Sequence, residues 1–187
     1  MWRPYWRIVI KYSLPLLRSF PYLLLEAGNT ETSEVLIYLH TFNKDYQIKG
    51  TGRDTLGMVG TGPLENTMIL SQADLRNGFV NHTHKTNTAI HEFVHLVDKS
   101  DGHIDGVPRS LLGMEYVVPW LKRIHEEIKL VKDGTSDINP YAMTSEAEFL
   151  AVAAKYFFEQ PPLLQYKHPE LFGWLKQLFT PSTVDIQ

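Results

Sequence analysis

Apolar residues in this chain change their spacing between Ser71 and Asn87, and that change sets the fold class. Before it they come in short runs rich in β-branched and aromatic side chains, EVLIYLHTF at 34–42 and TMILS at 67–71, which suit buried strands. YQIKG at 46–50 follows a turn at Asn43–Asp45 and reads as a returning strand. After Asn87 the apolar positions recur at helical spacing. Asn87 can cap a helix through Asp98, with Gly102 beyond its end. Pro119 suits the first turn of a helix to Lys132 with Val117, Trp120, Leu121, Ile124, Ile128 and Val131 as its stripe. A third helix runs from Ser145 to Glu159, stopped by Pro161 and Pro162, and short helices start at Pro162 and Pro169. The last of these sets Leu171, Trp174, Leu175 and Leu178 on one face. Strands first and helices after predict an α+β domain.

The chain has 187 residues, enough for one domain with a substantial core, and its 43% hydrophobic and 21% charged content is that of a folded globular protein. It contains no cysteine, which excludes disulfides, thiolate zinc sites, iron–sulfur clusters and cysteine nucleophiles. Any metal must be held by His, Asp or Glu. The net charge of −3 offers no field for nucleic acid, so no nucleic-acid partner is expected. Residues 1–30 form a basic, aromatic arm, with Arg3, Arg7, Lys11 and Arg18 and no acid before Glu26. Pro4, Pro15, Pro21 and Lys11 interrupt its apolar runs, so neither a signal peptide nor a transmembrane segment is expected. The arm either docks through Trp2, Trp6 and Tyr12 or packs back on residues 31–187, the expected catalytic domain. A cytoplasmic location is the expectation. The glycine-dense stretch GTGRDTLGMVGTGPLEN at 50–66 lacks phosphate-loop spacing and reads as tight turns, and TMILS reads as an exposed strand able to pair with an extended peptide.

The chemistry concentrates in NTAIHEFVHLVDKSDG. Residues four apart on a helix share a face, so His91 and His95 can present nitrogens to one ion, with Glu92 beside them as a general base. Asp98 shares the histidine face and is placed to orient a ligand imidazole. The bland alternative is a surface helix with two solvated imidazoles. A third ligand is needed, and the metzincin extension fails because Asp98 and Asp101 stand where Gly and His would be required. Asp101, His103, Glu115 and His125 are further candidates. The best segment is SEAEFLAVAAKYFF, whose small residues allow close helix packing and which offers Glu146 and Glu148. Glu146 falls in the apolar arc of Phe149, Ala153 and Phe157. Glu148 falls with Lys155 and Glu159 on a polar stripe, and with Ser145 it forms the pattern of a capping box. Periodicity leaves the choice open.

HEFVHLVDKSDGHIDGVP, YAMTSEAEFLAVAAKYFFEQPPLL, HPELFGWLKQLF and, more loosely, GPLENTMILS resemble the Mlc titration factor A peptidases over about Glu34 to Phe179. These are zinc metallopeptidases whose catalytic fold is related to the anthrax lethal factor protease. The resemblance implies a zincin-like (gluzincin) domain: a small sheet, an active-site helix and a C-terminal helical bundle. It implies one Zn2+ per chain on His91, His95 and Glu148, the last from the EFLAV match to the family's E-F-F-A-V. It implies Tyr141, seven residues earlier, as an active-site tyrosine that can donate to an oxyanion. The expected function is that of a zinc-dependent, aminopeptidase-like peptidase acting on a peptide or protein substrate. The alternative is a regulatory protein that sequesters a partner such as a transcriptional repressor, although a purely structural metal would need no Glu92. Longer family members carry a helical region before the first catalytic strand where this chain has about thirty residues, which bears on any carried-over repressor partner.

Overall fold

The structure is a computed structural model that describes residues 5–9, 34–60, 64, 67–80 and 87–180. Four strands form one mixed sheet: β1 (Tyr5–Val9), β2 (Glu34–Tyr38), β3 (Gly57–Val59) and β4 (Thr67–Ser71), in the order β1-β2-β4-β3. β2 and β4 run parallel, with Val35 opposite Met68 and Ile37 opposite Leu70, and the outer strands are antiparallel to their neighbours. β1 lies within the segment read as an N-terminal arm; Trp2 and Tyr12 fall outside the described residues.

All five residues of TMILS are buried, because β4 is flanked by β2 and β3 and covered on both faces. It is therefore not the exposed strand that its sequence position suggested; among the described residues the edge next to it is β3. On one face Val35, Met68 and Leu70 join the main core, and on the other Leu36, Tyr38 and Ile69 pack with Phe42 in a smaller cluster. The expected strand at 46–50 does not form. Asn43 instead gathers the backbone amides of Asp45 and Gln47 through its side-chain oxygen, and Phe42 makes a lone bridge to Thr55. Strand pairing resumes in the glycine-dense stretch, at β3.

Helices make up the rest: α1 (Gln72–Val80), α2 (Thr88–Asp98), α3 (Val117–Lys132), α4 (Glu146–Glu159), α5 (Pro161–Lys167) and α6 (Pro169–Phe179). The sequence pattern gave no notice of α1. Asn87 caps α2 through its side-chain oxygen, which accepts from the amides of Ala89 and Ile90. Ile90, Phe93, Val94 and Val97 bury the core side of α2. α4 is enclosed almost all round, at Ala147, from Phe149 to Ala154 and at Tyr156, which makes it the central helix of the bundle. Its alanines let it lie close against α2. The α+β architecture expected from the sequence is the one observed.

Candidate metal centre

Two packed helices build the site. His91 and His95 project from successive turns of α2, their Nε2 atoms 3.1 Å apart. From α4, Glu148 sets Oε2 3.0 Å from His91 Nε2 and Oε1 3.6 Å from His95 Nε2. Among the described residues this is the group of three whose ligand atoms converge to hold a metal. Tetrahedral ligands 2.0–2.1 Å from an ion stand about 3.3 Å from one another, and the three spacings bracket that figure. Two imidazole nitrogens and one carboxylate are also a donor set for zinc-like ions rather than for calcium or magnesium.

The choice between the two glutamates has a physical reason in the cap of α4. Ser145 Oγ accepts the Glu148 amide, the first half of a capping box. The Glu148 carboxylate does not complete the box; it turns toward the histidines of α2. Glu146 points away and pairs with His125 at 2.9 Å in a half-exposed contact. The remaining candidates lie apart: Asp101 binds Arg109 and the His103 amide, and Glu115 is exposed beside Gly113. Asp98 is fully buried but hydrogen-bonds the Gly106 amide at 2.8 Å through Oδ2. Its charge acts on His95 across space.

Electrostatics divide the carboxylates. Burial raises Glu92 to about 7; the charge of His95 and a hydrogen bond from the Val59 backbone pull it down, while Glu148 pushes it up. Glu148 is also desolvated, but the hydrogen bonds from His91 and His95 outweigh this and hold it at about 2. Glu148 is thus held as an anion by its histidine neighbours, while burial raises Glu92 beside it. Burial pushes His91 down despite Glu148. For His95 burial is outweighed by the surrounding Glu148, Glu92 and Asp98, and the pKa rises. Tyr141 stands at the rim, 53% exposed, its ring centroid 6.1 Å from that of His91, and burial together with Glu148 and Glu92 keeps its phenol protonated.

Two neighbours went unnoticed as site residues in the sequence. Gly57 in β3 lies directly against Glu92, and half-buried Lys155 on the Glu148 face of α4 acts on both glutamates while burial lowers its own pKa. The stripe of Glu148, Lys155 and Glu159 was the available signal for the lysine.

Histidines four apart on one helix, a carboxylate delivered from a second, and a poised acid between them define a metallopeptidase type of centre. A family model described as glucose-regulated metallo-peptidase M90 matches residues 9–180, and the chain belongs to that family. Among its relatives are proteins named Mlc titration factor A. The one from Pectobacterium atrosepticum is 28% identical, covering 91% of this chain and 68% of its own. That from Escherichia fergusonii is 32% identical, covering 78% and 58%. That from Serratia proteamaculans is 26% identical, covering 92% and 67%. Across these three the chain spans 58 to 68% of the relatives' length. No helix of the described residues is long and apolar enough to cross a membrane.

Proposed function

We propose that the protein is a zinc-dependent peptidase of gluzincin type, aminopeptidase-like in its action on short or unfolded peptides, working in the cytoplasm. The observation that carries this reading is the convergence of His91, His95 and Glu148, with the buried Glu92 on the same helix as the two histidines. His91, His95 and Glu148 would hold one zinc ion. Bound there, zinc supplies Lewis acidity, polarising the scissile carbonyl and acidifying a water molecule. Glu92 takes the water's proton as it adds to the carbonyl carbon, then delivers that proton to the leaving amine. Tyr141 donates its O–H to the oxyanion that develops. The edge strand β3 offers backbone groups to an extended substrate beside Glu92.

The test is hydrolysis of a peptide pool by zinc-loaded protein and by Glu92→Ala. The variant is expected to keep zinc and lose hydrolysis; full activity in the variant would sink the mechanism. A second reading rests on the name of the relatives, Mlc titration factor A. Under it the chain binds a protein partner such as a transcriptional repressor, and the metal is structural. Stoichiometric capture of that partner, unaffected by Glu92→Ala and without hydrolysis of any peptide, would favour it.

A further inference from the structure

A second polar cluster joins α3, the loop after it and the α5–α6 junction. His168, 7% exposed at the junction of α5 and α6, places Nδ1 3.0 Å from Glu127 Oε2 and Nε2 3.0 Å from Asp137 Oδ1. When the ring is protonated both of its nitrogens donate, one to each carboxylate, and the two contacts favour that charged form. Glu127 is 3% exposed and sits on the face of α3 that otherwise buries Trp120, Ile124 and Val131, a costly place for an acid without a partner. Asp137 collects two more donors on Oδ2: the Tyr156 hydroxyl of α4 at 2.8 Å and Lys167 Nζ at 3.0 Å. Arg123 completes the surroundings, 3.8 Å from Glu127 Oε1 and paired with Glu126 and Glu170.

Asp137 belongs to the loop between α3 and α4, and that loop carries Tyr141. After Asp137 the chain buries Ile138, and Asn139 Oδ1 accepts the Tyr141 amide to start the 3₁₀ turn Pro140–Met143. Ala142 is fully buried beneath it. The loop is thus pinned four residues before Tyr141 by groups from α4, α5 and the α5–α6 junction, while Tyr141 itself is half exposed.

We propose that His168, clamped between Glu127 and Asp137, is a positioning residue for Tyr141, and that its deprotonation loosens the loop that holds Tyr141 at the metal centre. The inference rests on the reading of Tyr141 as the oxyanion donor. The Glu127 hydrogen bond, opposed by burial and reinforced by Asp137, holds the imidazole pKa above its ordinary 6.5. The clamp is therefore intact below that value and is lost as pH rises through the folded-state pKa.

Amide hydrogen exchange on the zinc-loaded full chain tests this. Protection factors of 138–144, already corrected for intrinsic exchange, should fall roughly tenfold or more in His168→Leu, while α2 keeps its protection. In the unsubstituted protein the same amides should lose protection as pH rises above 6.5, and in His168→Leu they should not respond. Hydrolysis by His168→Leu should lose kcat with KM and zinc content little changed, and Tyr141→Phe should cost less in the His168→Leu background than in the parent. Should His168→Leu not fold, Asp137→Asn is expected to show the same local loss. Unchanged protection of 138–144 across pH, or loss spread equally over every helix, would overturn the clamp. Undiminished hydrolysis by Tyr141→Phe would instead overturn the catalytic reading of Tyr141, and exchange would still judge the clamp.

Discussion

Gly57 of β3 approaches Glu92 of α2 so closely that a β-carbon at residue 57 would stand 2.7 Å from Glu92 Cγ and 2.7 Å from Thr88 Cγ2. The edge strand can therefore lie flat against the helix that carries Glu92, and Val59 two residues on can hydrogen-bond the Glu92 carboxyl. Gly57→Ala must push either the strand or the glutamate aside. The expected cost is about 1–3 kcal/mol in denaturant unfolding, as for other overpacked contacts, with a loss of kcat larger than a stability change alone would give. Full activity in Gly57→Ala would show that Glu92 does not depend on the strand.

Burial of Glu92 carries its own pH dependence. An acid raised from 4.5 to about 7 in the folded state binds a proton that the unfolded chain has released. Its burial costs nothing below about pH 4.5, and stability is lost as pH rises toward 7. Glu92→Gln removes that cost, so metal-free Glu92→Gln should be more stable than the metal-free parent at pH 8 by roughly 1–3 kcal/mol. The two should converge near pH 4. Urea titrations at both pH values measure it; equal stability at pH 8 would mean that Glu92 is not strained by its surroundings.

The two glutamates of α4 make opposite predictions. Glu148→Ala removes one of three ligands and should abolish retention of zinc through purification, with melting no longer responsive to added zinc. Glu146→Ala breaks a half-exposed contact with His125 and a hydrogen bond to its own backbone, and should retain zinc, with stability changed by less than about 1 kcal/mol. Elemental analysis of the two variants decides it, and zinc kept by the first but lost by the second would reverse the assignment.

What was legible in the sequence follows from how local its causes are. The cap at Asn87, the histidine spacing of α2 and the proline stops of the last helices act within a turn or two, and each is where the sequence placed it. Glu148 could not be told from Glu146 by spacing, because periodicity finds a face only when one side of a helix is wet, and this helix is enclosed nearly all round. Only the resemblance distinguished Glu148 from Glu146. TMILS reads as an exposed strand because its neighbour on that side, β3, comes from a glycine-dense stretch with no strand-like run. The only local sign of the His168 cluster is Glu127, an acid in the buried stripe of α3, whose partner His168 lies 41 residues away along the chain and is shared with Asp137.

The strut between the two halves of the metal centre gives the last prediction. Gly106 adopts φ +78° and sits against the first turn of α4, where a β-carbon would fall 2.4 Å from the Glu146 carbonyl carbon and oxygen. Its amide donates to Asp98 at the end of α2 and its carbonyl accepts the Trp120 indole of α3 at 2.8 Å. One residue therefore spaces the helix of His91 and His95 from the helix of Glu148. Gly106→Ala meets both a left-handed backbone and a rigid backbone contact, and together these should cost at least about 3 kcal/mol. Because Glu148 lies two residues beyond Glu146, the folded variant should also bind zinc more weakly. Asp98→Ala loses one hydrogen bond and should cost less, about 1–3 kcal/mol, whereas Asp98→Asn can still accept from Gly106 and should stay close to the parent. Denaturant unfolding and competition with a zinc chelator separate these outcomes. A Gly106→Ala protein with parental zinc affinity would show that the spacing of α2 and α4 is set elsewhere.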